Sequence, residues 1–269
     1  MKTLVKTNEL KYSSAELTAK RVLDECGLVD PTELSMEEII LGRKAFYEEK
    51  PLYGKEGEIV SVGNKSCITI NSNIVYPTKK RFAAAHELGH YEMHRHLTPI
   101  IYDTEYDLVN WYQGGPQEME ANEFAAEFLM PTEIFQKECK GKKFSPAVIE
   151  HLANRFQVSK TSTILKFVNR GHHPVCIVYC KDNKMKWWKT SSDFRYFLEF
   201  KYNDPPPTGS VAYEMFTSTK FYAGDERKQE IWKSDWFRMG EREYKDSRFY
   251  EYCLNAKSYG YTISIIWED

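Results

Sequence analysis

Five residues constrain this chain more than any others: His86-Glu87-Leu88-Gly89-His90. On a helix, positions four apart lie one above the other, about 6 Å apart along the axis. The two imidazoles therefore face the same way and can converge on one metal ion. Glu87 lies beside that face, where its carboxylate reaches a water molecule at the metal rather than the metal itself. The motif thus calls for a helix with one functional face, and it leaves the third ligand open.

Three residues compete for that third place. His96 stands where an extended histidine motif would have its last ligand, but the glycine needed to turn the chain there is Met93. On a continuous helix His96 would lie about 15 Å from His86, too far to share an ion. His94 fails for a similar reason. The remaining candidate is the segment Glu118-Met119-Glu120-Ala121-Asn122. Glu118 and Asn122 are four apart and share a face, so Glu118 can ligate while Asn122 steadies a ligating histidine. Glu120 is rotated by about 200° from Glu118 and is expected to point away as an ordinary solvated glutamate. Ala121 and Ala125 would let this helix approach the first closely. Two histidines and a carboxylate suit Zn2+, and three protein ligands rather than four are the pattern of a catalytic site. Glu87 then serves as general base in peptide-bond hydrolysis.

These residues carry a resemblance. Arg81-Phe82-Ala83-Ala84-Ala85 leads into the motif. Glu118 to Asn122 continues as Glu123-Phe124-Ala125-Ala126-Glu127-Phe128-Leu129-Met130-Pro131. Together they resemble the ImmA/IrrE family of metallopeptidases, specifically over about 80–131 and more loosely over 10–171. The resemblance places the family's histidine ligands on His86 and His90, its glutamate ligand on Glu118 and its base on Glu87. It implies a gluzincin-like zinc endopeptidase of narrow specificity, acting inside the cell on a protein such as a helix-turn-helix repressor. Mobile elements and stress responses are the settings it implies. The hairpin strand Ser66–Ile70 is expected to add a substrate strand at its edge.

Around the motif, periodicity gives an α+β fold. Ser13 and Glu16 form a capping box for a helix with Ala15, Ala19, Val22, Leu23 and Cys26 on one face. A short helix covers Met36–Leu41. Gly57–Val62 and Ser66–Ile70 read as a hairpin about Gly63-Asn64-Lys65. Thr78 is expected to cap the histidine helix, and Pro116 to open the next, stopped by Pro131. Thr132 caps a short helix, and Ser145 and Pro146 open a helical pair ending near Gly171. Beyond it, Val175–Cys180, Lys184–Lys189, Phe197–Tyr202 and Tyr261–Trp267 read as strands, interrupted by a charged stretch, Asp225–Arg248. The expected division is a zincin-like domain over 1–170 and a β-rich domain over 171–269, the latter a sensing or substrate-docking module.

Composition narrows the partners. Net charge is −2, from 37 basic and 39 acidic residues, which gives no global reason to bind nucleic acid. The six cysteines (26, 67, 139, 176, 180, 253) contain no C-x-x-C and are expected reduced. No apolar run is long enough for a bilayer, and Met1–Lys11 lacks the core of a signal peptide, so no membrane partner and a cytoplasmic location are expected. The rival reading is a DNA-binding regulator with a structural metal, because 145–171 imitates a helix-turn-helix with Arg155, Lys160, Lys166 and Arg170. Asp103, Glu105 and Asp107 imitate a calcium loop, but Leu108 and Gly114 break the pattern. Tyr102, Tyr106 and Tyr112 nearby are expected to pack rather than to act on an oxyanion.

Overall fold

The computed structural model describes residues 11–97, 100–104, 115–218, 225–240 and 246–268, with backbone alone at 100–104 and 258. By contacts the chain divides into two compact units. One runs to Pro131 and includes Phe156–Val158; the other holds the rest. The change of texture near 171 is a different boundary: it separates helical from β-rich sequence, and helices on both sides of Pro131 lie before it.

In the first unit, α1 (Ser14–Glu25) is opened by a complete capping box between Ser13 and Glu16. It buries Ala15, Ala19, Val22 and Leu23. A second capping box, Ser35 with Glu38, opens α2 (Met36–Gly42). A four-stranded sheet follows in the order β1-β3-β2-β4, from β1 (Phe46–Lys50), β2 (Lys55–Val62), β3 (Lys65–Asn71) and β4 (Ile100–Thr104). Strands β2 and β3 form the expected hairpin, and Gly63 at φ +59° supplies the left-handed residue of its turn.

One expectation changes here. Strand β3 is not an edge: β1 pairs with it in parallel and β2 antiparallel, so it has no free side to offer a peptide. The edges of this sheet are β1 and β4. Strand β1, Phe-Tyr-Glu-Glu-Lys, also escapes the sequence pattern. Its charged and exposed residues are what an edge strand needs to resist further pairing.

Helices α3 (Pro77–Met93) and α4 (Pro116–Leu129) complete the unit. Ten consecutive residues of α3, Phe82 to Tyr91, are buried, so this helix is central rather than one-sided. Arg43 grips its C-terminal turn with Nε 2.7 Å and Nη2 3.2 Å from the Glu92 carboxylate. The same guanidinium reaches Glu25 of α1 at 2.7 Å, tying α1 and the end of α2 to α3.

The second unit pairs helices α5 (Thr132–Cys139), α6 (Pro146–Phe156) and α7 (Lys160–Arg170) with an antiparallel sheet in the order β6-β5-β9-β8-β7. Its strands are β5 (Cys176–Lys181), β6 (Lys184–Thr190), β7 (Glu226–Trp232), β8 (Arg248–Ala256) and β9 (Tyr261–Glu268), with short helices α8 (Val211–Thr217) and α9 (Lys233–Trp236). Strands β5 and β9 are buried on both faces, β5 as an apolar run and β9 with Thr262 and Ser264 buried among apolar residues. Phe144 links the layers, 5.1 Å from the Phe167 ring of α7 and 4.6 Å from Trp267 of β9.

The expected strand over 197–202 is absent as a ladder. Only Leu198 bridges, to Phe237, while Phe194, Tyr196, Leu198 and Phe200 lean on the core. Their alternation reports one-sided burial without strand pairing. Conversely, the charged stretch contains β7, whose Glu, Arg, Lys and Gln residues again mark an edge. All six cysteines are free, four of them buried. Among the described residues no helix is long and apolar enough to cross a membrane.

Candidate metal centre

Helix α3 begins two residues earlier than its sequence suggests, with Tyr76 rather than Thr78 at the cap position. Pro77 occupies the first helical position, where a missing N–H costs nothing, and Thr78 lies inside the first turn. Helix α4 starts at Pro116 for the same reason. The two approach closely where side chains are smallest. Ala121 and Ala125 are fully buried, and a Cβ on Gly89 would meet the Phe124 side chain at 3.0–3.2 Å.

That close approach brings three donors together. His86 Nε2 and His90 Nε2 are 3.0 Å apart. Glu118 Oε2 lies 3.2 Å from His86 Nε2, and Glu118 Oε1 lies 3.2 Å from His90 Nε2. An ion with bonds of about 2.0–2.1 Å at tetrahedral angles would hold neighbouring donors about 3.3–3.4 Å apart, so the triangle fits within a few tenths of an ångström. Among the described residues these three form the only His, Cys, Asp or Glu group of this kind.

Electrostatics favours the ligating forms. Burial pulls the His90 pKa down to about 4, against the opposing pull of the Glu118 carboxylate. Burial also raises the Glu118 carboxyl, but hydrogen bonding to His86 and His90 outweighs it and holds the group far below its usual range. Neutral imidazole and ionised carboxylate are the forms a metal ion requires.

Each imidazole is held from behind. His86 Nδ1 donates to Asn122 Oδ1 at 3.0 Å. His90 Nδ1 lies 2.9 Å from His94 Nδ1, and His94 Nε2 lies 2.9 Å from Glu120 Oε2. Sequence reasoning missed this second arrangement because it weighed His94 only as a ligand and Glu120 only by its angle around α4. The available signal was the spacing of 86, 90 and 94 along one helix. The distance that bars His94 from the metal leaves it one turn from His90. His96, past the end of α3, is exposed and takes no part in the donor group.

Glu87 is fully buried and faces the sheet. Its neighbour is Gly57 of β2, where a Cβ would fall 2.7 Å from Glu87 Cγ and closer still to a carboxylate oxygen. The β2–β4 register slips between Lys55 and Glu58, so the glycine sits in an irregularity that lets bare backbone lie against the carboxylate. Tyr106, Tyr112, Glu105 and Asp107 lie outside the described residues. Asp103 and Tyr102 lie in β4, where only the backbone is described.

Comparisons with known proteins add to this geometry. The family described as IrrE N-terminal-like domain matches residues 41–167, which include both helices. No curated protein matches the chain. A solved structure described as a Mycobacterium tuberculosis transcriptional regulator is similar in fold, with a TM-score of 0.59 at 12% identity. The match covers 94% of this chain and 75% of that one.

Proposed function

Because residues 41–167 make this chain a member of the ImmA/IrrE peptidase family, we propose that it is a zinc-dependent endopeptidase. In this reading His86, His90 and Glu118 hold the ion and Glu87 is the general base. The observation that carries it is the convergence of three donor residues, with the two Nε2 atoms 3.0 Å apart and each 3.2 Å from a different Glu118 oxygen, beside a buried carboxylate one residue from the first histidine.

When bound, Zn2+ supplies a Lewis acid that polarises the scissile carbonyl and acidifies water. The remaining work falls to the chain. Glu87 accepts a proton from the attacking water as the C–O bond forms, then delivers it to the leaving nitrogen as the C–N bond breaks. His90, whose burial holds its pKa down to about 4, and His86 direct their Nε2 atoms to the metal side. The substrate is an intracellular protein, and from the family we take it to be a helix-turn-helix repressor.

The DNA-reading alternative loses its ground. Seven consecutive residues of α7, Ser162 to Val168, are buried, so the would-be recognition helix has no open face for a groove. Two of the segment's basic residues are engaged as well: Lys160 of α7 lies 2.8 Å from Glu226, and Arg155 of α6 lies 3.7 Å from Glu138.

Elemental analysis tests the metal. One zinc per chain is expected in the wild type, with loss in His90→Ala and Glu118→Ala. A wild type without zinc, even after reconstitution, would sink the peptidase reading. Gly57→Ala tests the base separately. The added methyl must push Glu87 aside, so zinc content should be unchanged while hydrolysis falls by about 10-fold or more. A Gly57→Ala protein of undiminished activity would show that the carboxylate works from elsewhere.

A further inference from the structure

We propose that His94 and Glu120 are positioning residues that fix the tautomer and ring orientation of His90 toward the metal. The inference rests on the metal reading above and extends it to two residues outside the ligand set. Its basis is a continuous chain of contacts from Glu120 to the metal-side atom of His90. Glu120 is a carboxylate and can only accept, so His94 Nε2, 2.9 Å away, carries the proton of that bond. His94 Nδ1 lies 2.9 Å from His90 Nδ1, and when His90 Nε2 gives its lone pair to an ion, His90 Nδ1 is the donor of that bond and His94 Nδ1 the acceptor. His90 Nε2 is the atom 3.0 Å from His86 Nε2 and 3.2 Å from Glu118 Oε1.

The far end of the chain thus supports the near end. His90 is fully buried and His94 is 2% exposed, so water has little access to substitute for a missing acceptor. Glu120 is the half-exposed terminus, and its charge reaches the ligand through the His94 ring. The arrangement also explains why a histidine occupies the C-cap of α3, where its backbone N–H bonds to the His90 carbonyl at 2.7 Å. Side chain and backbone of His94 both close on the residue one turn before it.

Zinc dissociation constants, measured by chelator competition on the full chain, test the idea without recourse to activity. His94→Leu fills the space but accepts nothing, and should weaken zinc about 10- to 100-fold; His94→Asn returns an acceptor near the Nδ1 position and should stay within about 3-fold of wild type. Glu120→Lys offers only donors and would reverse every proton in the chain, weakening zinc about 10-fold even in 0.5 M salt, where long-range charge effects are screened. A His94→Leu protein that binds zinc like the wild type overturns the inference, as does a His94→Asn protein as weak as His94→Leu, which would mean packing alone. Should His94→Leu fail to fold, wild-type affinity in Glu120→Lys overturns it instead. A wild type that binds no zinc takes down the metal reading itself, which these variants leave standing.

Discussion

Glu87→Gln is expected to keep its zinc and its fold and to lose hydrolysis by about 100- to 10,000-fold, the usual contribution of a positioned general base. The amide is nearly isosteric, so it fits the same buried place beside Gly57. It cannot take a proton from water, and among the described residues the donor group has no Asp or Glu besides Glu118, the proposed ligand, to replace it. Because the substrate is defined only by class, the measurement is a comparison of newly formed protein N-termini after adding wild type or variant to a cell extract. New termini in the wild type that vanish with Glu87→Gln identify both the activity and its target. Equal sets from both proteins would remove Glu87 from the reaction.

The second large effect concerns stability. Glu251 is fully buried in the second unit, and every partner it has is a donor. Val211 N and Trp236 Nε1 reach Oε2 at 2.9 and 3.1 Å, while Ala212 N and Ser264 Oγ reach Oε1 at 3.0 and 2.5 Å. A glutamine there must turn its NH2 toward one pair of donors, stranding both N–H groups on the Oε2 side or the Ala212 N–H on the Oε1 side. The expected loss in Glu251→Gln is about 2–5 kcal/mol, or a Tm lower by roughly 5–15 °C. An unchanged melt would show that the four contacts carry no net weight.

Glu251 also sets a pH dependence. Complete burial raises its carboxyl above the ordinary value of 4.5, while the four hydrogen bonds pull the other way. Because the folded pKa lies above the unfolded one, the folded chain holds the proton longer. The group's contribution is therefore full below the unfolded value and declines as pH rises through the folded one. Thermal melts across that window should show the decline in the wild type and lack it in Glu251→Gln.

What could be read from sequence follows a physical line. The helices around the metal were legible because capping boxes, prolines and a three-to-four-residue period all act locally: Ser13 with Glu16, Pro116 and Pro131 mark their ends directly. The donor triangle was legible because ligands four apart on a helix leave few alternatives. Strands β1 and β7 were not, since edges carry charge to resist pairing and so erase the apolar alternation that announces a strand. The place of β3 between β1 and β2 was hidden for another reason. The parallel β1–β3 pairing joins segments separated by the whole of β2, and no local signal specifies such a crossover. Gly57 and the His94–Glu120 pair lay in plain view as residue types, but their roles come from a tertiary approach that spacing along one element does not encode.

Helix α4 presents Glu118, Glu120 and Asn122 to three histidines set one turn apart on α3. The histidines repeat at the helical pitch of about 5.4 Å, and a slip of either helix by one turn would break these pairings. In the proposed reading, an ion held here would be a gauge of assembly as well as a reagent. His90 and Glu118 are far apart along the chain and meet only when α3 and α4 have packed. If this donor group is the catalytic centre proposed above, the capacity to cut other proteins arrives together with the finished fold.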